Sequence, residues 1–268
     1  MPSHTLLEAS ASSVDPPAQE LLVLWQHPLS REILPVGRLS FNGTTYGFDY
    51  TVAASRIEGF RALSGLGMLG QHTDSALLPA IFRQRVMEPT RPDFAAYVGT
   101  LGLSAADATP WEQILESGGG RAGDTLQFME MPVVRGGYAR ARFFANGVRH
   151  IPGHVAVIAG HTLVTSEENH EHALQSLAPG DIVSVVAEEA NKVDSQAALV
   201  TASGTPIGWV PRLLAPAFRR LLSSRPVELS VVRRNGPESP SHLRLVLELN
   251  AAAPSGFTFD PAGDWNAI

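Results

Sequence analysis

Along residues 21 to 50 the apolar positions alternate or run together in short blocks. "ELLVLWQHP" opens as a strand, and "VGRLSF" and "TTYGFDYT" follow as two more across the turn "NGT". An Asn-Gly pair between alternating apolar runs is a strong local hairpin signal, so an antiparallel start is expected. The spacing then changes. "DSALLPAIFRQRVM" sets Leu77, Leu78, Ile81, Phe82 and Val86 on one face of a helix, "RPDFAAYVGTLGL" repeats that period, and "TPWEQILESGGG" carries its own punctuation. In the last, Thr109 can cap, Pro110 suits the first helical position, and Gly118 to Gly120 stop the turn.

Past "DTLQFMEMPVV" the pattern returns to alternation at "RGG", Arg135 to Gly137, and a domain boundary is expected there. Strand signals follow in "YARARFFANGVRHI", "HVAVIA", "DIVSVVAE", "AALVTA", "PIGWVP", "VELSVVRR" and "HLRLVLEL", with one helix, "RLLAPAFRRLLS", among them. Many short strands with one or two helices fit a small barrel or sandwich better than a doubly wound sheet. The expected class is α+β. A Ser-, Ala- and Pro-rich tail over 1–20, expected to be disordered, precedes a small sheet with helices over 21–134. A small barrel or sandwich with one or two helices over 135–250 and a C-terminal tail over 251–268 complete it.

Composition adds limits. The chain has 268 residues, 44% of them hydrophobic, enough for a real core. No apolar run approaches the length of a membrane span, the start lacks the order of a secretory signal, and Cys is absent, so a soluble cytoplasmic protein without thiol chemistry is expected. The net charge is -6, which neither predicts nor excludes nucleic-acid binding, since a local patch gathers phosphates. Six arginines (Arg212, Arg219, Arg220, Arg225, Arg233 and Arg234) face one acid, Glu228, between positions 212 and 234. The acidic run "EENHEHALQ" lies upstream of them.

Candidate chemistry is sparse. "GLGMLG" places Gly65, Gly67 and Gly70 in the G-x-G-x-x-G pattern, but neither a buried strand before it nor a helix straight after is predicted, so it reads as a glycine-rich loop. "GGGRAGD" lacks the Gly-Lys-Ser/Thr ending of a phosphate loop. His150, His154, His161, His170 and His172 gather without an H-E-x-x-H order, and the two-residue step from His170 to His172 suits a strand or loop better than a helix-borne pair. No cofactor, metal or catalytic set is expected. In "EEANKVDSQAALVTASGTPIGWVPR", Asn191 and Asp194 fall between two strands, where short polar side chains can either tie a turn to its own backbone or face a ligand. Trp209 can be core or an aromatic platform for a base.

The order "LAPGDIVSVVAEEANKVDSQAALVTASGTPIGWVPRLLA", residues 177–215, resembles a HIRAN domain, with the likeness extending over about residues 138–235. That family has a small OB-like β-barrel, stands alone in bacteria or is fused to remodelling helicases in eukaryotes, and holds the 3′ end of single-stranded DNA. The resemblance implies terminal-nucleotide contacts at Asn191 and Asp194. With Lys192, Trp209, Arg212, Arg219 and Arg220 these make up the expected nucleic-acid-binding set. It departs from the DNA-binding members at Val193, where an aromatic Tyr is usual, and at Lys192, where Pro is usual. "VGRLSFNGTTYGFDY", "GFRALSGLGMLG" and "LLPAIFRQRVMEPTRPDF" resemble the small N-terminal subdomain of HipA-type toxin kinases over about residues 21–130, without the kinase body. The combined expectation is a non-enzymatic module that binds single-stranded DNA at its 3′ end. The alternative is a protein-interaction or antitoxin-like module contacting a HipA-type kinase through residues 21–134.

Overall fold

The structure is a computed structural model that describes residues 19–120 and 124–268. The expectation for residues 1–20 therefore lies outside the described residues, except for Gln19 and Glu20. These two begin strand β1 (Gln19–Gln26), which pairs antiparallel with β2 (Ile33–Phe41). β2 pairs in turn with β3 (Tyr46–Tyr50) across the predicted Asn42-Gly43 turn, where Asn42 Oδ1 accepts from the backbone N–H of Thr44 and Thr45. After α1 (Val52–Arg56) come β4 (Thr73–Ser75), α2 (Ala80–Arg83), α3 (Phe94–Thr100), α4 (Pro110–Ser117) and β5 (Leu126–Glu130). Five strands form one sheet in the order β4-β3-β2-β1-β5.

α4 follows its sequence closely. Thr109 Oγ1 accepts from Glu112 N at 3.2 Å, Pro110 starts the helix, and Gly118 ends it in the left-handed region at φ 65°. The helix expected over "DSALLPAIFRQRVM" shrinks to Ala80–Arg83 because Pro79 ahead of it disfavours helical backbone at Leu78. Asp74 and Ser75 become the edge strand β4 instead, and Leu77 stays exposed.

The chain leaves the first sheet at Met131 and enters a second through β6 (Val133–Arg135) and β7 (Tyr138–Phe144), which turn at Gly136 and Gly137. A separate two-stranded hairpin, β8 (Val155–Ile158) with β9 (His161–Val164), precedes α5 (Glu167–Gln175). Then follow β10 (Ile182–Ala187), β11 (Ala198–Ala202), β12 (Thr205–Trp209), α6 (Ala215–Leu222), β13 (Val227–Arg234) and β14 (Leu245–Ala252). All pairings in this seven-stranded sheet are antiparallel, in the order β12-β11-β10-β13-β14-β7-β6.

This order corrects the expected OB-like barrel: among the described residues no sheet closes on itself. The edges are β12 and the three-residue β6, and among the described residues a single bridge, between Asn146 and Trp209, links β12 to the chain just past β7. The apolar face that a barrel would wrap around its own interior is covered by other elements. Phe218 and Leu221 of α6, Leu174 of α5 and the first sheet's Leu22, Leu24 and Met129 share one core with Val183, Val200, Leu247 and Leu249. β1 is thus buried on both faces, which suits its unbroken "LLVL" run, with Leu21 and Val23 turned the other way toward Phe48, Phe82 and Trp111.

Residues 253–268 run back across both halves. Phe259 and Trp265 enter the shared core, and the backbone N–H groups of Val52 and Ala53 donate to the carbonyls of Asn266 and Asp264. A cluster of charges also spans the halves: Glu116 of α4 accepts from Arg142 of β7 at 2.7 Å and from Arg233 of β13 at 2.5 Å.

Candidate functional site

The outer face of the second sheet is open at Ser184 but covered two residues further on. Val186, Leu199 and Trp209 pack there against Ile151, Ala156 and Ile158 of the segment that leads into and forms the β8–β9 hairpin. This small satellite core fixes the hairpin on the sheet, and Glu189 N donates to Val157 O at 2.7 Å where the two meet. Beyond that bridge the chain turns away at Ala190, whose φ is 56°, and a groove of about 960 Å³ opens between the hairpin and residues 190–194.

Asn191 and Asp194 build the loop on that side. Asn191 Oδ1 accepts from the N–H of Val193 at 2.9 Å and of Asp194 at 3.0 Å, an Asx turn. Asp194 Oδ1 accepts from Gln196 N at 2.9 Å, and its carbonyl accepts from Ala197 N, leading into β11. Both residues line the groove as well, so the turn and ligand-facing readings of the sequence meet in one place.

Below the loop lies a residue absent from the expected set. Glu188 is 1% exposed, and its carboxylate collects three donors. Asn191 Nδ2 at 2.7 Å and Trp209 Nε1 at 2.6 Å both reach Oε2, while His154 Nε2 stands 2.5 Å from Oε1. One buried charge therefore ties together the loop, the end of β12 and the hairpin's approach. A carboxylate in such a place is tolerable only with this many donors.

Trp209 forms part of the groove's wall, with His154 edge-on at 5.1 Å. It also closes on Gly147, where a Cβ would stand 2.6 Å from the indole ring and where φ is 65°. Only glycine meets both demands.

Five of the seven expected residues, Asn191, Lys192, Asp194, Trp209 and Arg212, line this groove. Arg219 and Arg220 do not. Arg219 leans on the Ala197 carbonyl at 3.5 Å, while Arg220 donates to the Thr258 carbonyl at 2.6 Å and lies over the Phe257 ring. The rest of the arginine-rich stretch is likewise engaged internally: Arg225 with the Ala252 carbonyl, Arg234 with that of Leu177 at 3.2 Å, and Arg233 with Glu116 and the Leu101 carbonyl. The exposed cations beside the groove are Lys192, Arg212 and Arg149, the last in an adjoining recess with His150 and His242. Among the described residues none of these three pairs with a carboxylate.

Sequence reasoning missed Glu188, His154, Arg149 and Gly147 as parts of the site. "EEAN" offers two adjacent acids, and only the hairpin's cover on one sheet face decides that Glu188 turns inward while Glu189 stays exposed. The other histidines disperse. His170 and His172 lie on a helix, α5, rather than on a strand or loop, because Ser166 caps the acidic run by accepting from Asn169 N. Burial holds the His170 imidazole below its ordinary pKa. Among the described residues no group of three or more His, Cys, Asp or Glu converges as a metal site would require. Gly65, Gly67 and Gly70 sit in turns that lead into β4 rather than a helix, as a plain loop does. Among the described residues no helix is long and apolar enough to cross a membrane.

Comparison of the chain with family models, with curated proteins and with solved structures found no match. The likenesses to HIRAN domains and to the HipA N-terminal subdomain rest on the sequence segments that carry them.

Proposed function

We propose that the second half is a non-enzymatic, cytoplasmic binding module that holds the 3′ end of single-stranded DNA in the groove between the β8–β9 hairpin and residues 190–194. The observation that carries this reading is the gathering of Asn191, Lys192, Asp194, Trp209 and Arg212 on that one groove. Asp194 Oδ1 is occupied by the loop, which leaves Oδ2 as the acceptor for a terminal 3′ hydroxyl. Asn191 shapes the loop from beneath, since both ends of its amide are engaged internally. Lys192, Arg212 and Arg149 supply phosphate contacts along the approach, and the part of Trp209 that lines the groove supplies an apolar edge for the sugar.

Fluorescence anisotropy with oligonucleotides ending in a 3′ hydroxyl or a 3′ phosphate tests the reading. The hydroxyl end should bind more tightly, because a phosphate would meet the Asp194 carboxylate. Three phosphate-facing cations imply a slope of log K against log salt of about −2 for a single strand. Equal affinity for both ends would overturn end recognition, and a far steeper slope would place the strand on some other surface.

A further inference from the structure

The groove carries an apolar feature that phosphate and hydroxyl contacts leave unused. Val155 is 56% exposed and Val193 82% exposed, and both line the groove, Val155 from the hairpin and Val193 from the loop. Val157 lines it beside Val155. Val164, 55% exposed, is the cross-strand partner of Val155 and shares its face. Single exposed valines are ordinary on protein surfaces. Val155, Val157 and Val193 together on one concave site mark a place where an apolar ligand group is taken from water.

Valine offers methyl contacts rather than the flat face on which any base can stack. Trp209 does not supply that face freely either, since its ring closes on Gly147 and its N–H is bound to Glu188. Stacking is indifferent to base identity, but methyl contact is not. Among the DNA bases only thymine carries an apolar substituent, the methyl at C5.

We propose that the groove selects a 5-methylated pyrimidine, thymine foremost, at the 3′ end of the strand, with Val155 and Val193 as the residues that determine this specificity. The inference rests on the end-binding reading above. Burying one methyl corresponds to about a fourfold gain in affinity.

The test uses the full chain and oligonucleotides that differ only in their last two positions, dT against dU and 5-methyl-dC against dC, all with a 3′ hydroxyl. Each methylated member should bind about fourfold more tightly than its partner. The agreement of the two pairs matters, because their Watson–Crick edges differ while the methyl is the same. In a V155T/V193T variant both ratios should fall toward one; both positions are exposed and threonine keeps the β-branched shape, so the fold is retained. Equal affinities within each pair, or ratios unchanged in the variant, would overturn methyl selection while a retained preference for the 3′ hydroxyl leaves end binding standing. Loss of that preference in every oligonucleotide would overturn the end-binding reading, and this inference with it.

Discussion

Arg212 and Arg233 belong to the same arginine-rich stretch of sequence and do opposite work. Arg233 reaches inward across the two halves, where Glu116 and main-chain carbonyls surround its guanidinium and burial pulls its pKa below the ordinary arginine value. Arg212 stands on the groove rim with its charge in solvent. A run of basic residues counts for nucleic acid only after the internal acceptors are subtracted, and here most of the run is subtracted. The same contrast separates acids: Glu188 is a buried hub, whereas its neighbour Glu189 is exposed and accepts from Gly160 N at 3.1 Å. Charges turned inward should therefore govern stability, and charges turned outward should govern binding.

The sharpest break of that contrast is at Glu188. Glu188→Ala leaves the Trp209 indole N–H and the Asn191 amide without their acceptor and should destabilise the chain by about 3 kcal/mol in urea unfolding, with loss of DNA binding. Glu188→Gln should cost under about 1 kcal/mol. Its amide oxygen can take the place of Oε2 for both donors, and its NH₂ can donate to His154 Nε2 in the other tautomer. Equal losses from Ala and Gln would mean that the negative charge itself, rather than the pattern of donors, holds the site.

Arg233→Met comes next. Removing one partner of a fully buried pair costs about 3 to 5 kcal/mol; this pair is partly exposed and Arg142 still holds Glu116, so about 2 kcal/mol is expected. The salt dependence of DNA binding should not change. Arg212→Gln should do the reverse: unaltered urea unfolding, severalfold weaker binding, and a salt slope shallower by about 0.7. If Arg233→Met flattened the salt slope instead, the inward arginine would be taking part in binding and the distinction would fail.

What the sequence showed of these features follows how local their causes are. The Asn42-Gly43 hairpin, the Thr109-Pro110 start and the Gly118 end of α4 depend on residues a few positions apart, and they were legible. The Asx turn at Asn191 was legible for the same reason, as one of two readings. The open sheet was not, because closure depends on whether something else covers the inner face. Here Leu22 and Leu24, far away in sequence, do so together with α6. The inward turn of Glu188 was hidden likewise. Strand alternation places it on the face of Ser184 and Val186, which would be solvent-exposed but for the hairpin and Ile151 packing over it. The arginines of 212–234 looked like a patch because their acceptors, the carbonyls of Ala252, Thr258 and Leu101 among them, carry no signature in sequence.

The smallest expected effect lies where a charge is half turned inward. His72 Nδ1 stands 2.8 Å from Asp49 Oδ1, and Nε2 stands 2.9 Å from Asp74 Oδ1. Only the doubly protonated ring donates to both carboxylates, and those hydrogen bonds raise its pKa above 6.5. It mirrors Glu188, a cation between acceptors rather than an anion among donors, but its side chain is 51% exposed, so solvent screening limits the gain to a few tenths of a kcal/mol. The sign follows from linkage. With the folded pKa raised, the contribution is fully present below the unfolded value of about 6.5 and is lost as pH rises through the folded value. The melting temperature of the wild type minus that of His72→Gln should therefore be largest near pH 6 and shrink at higher pH. Because the link joins β3 to the edge strand β4, hydrogen exchange at Gly47 and Phe48 should follow the same trend. A difference that grows with pH would mean that the ring is neutral in the folded chain and that β4 is held by its backbone pairing alone.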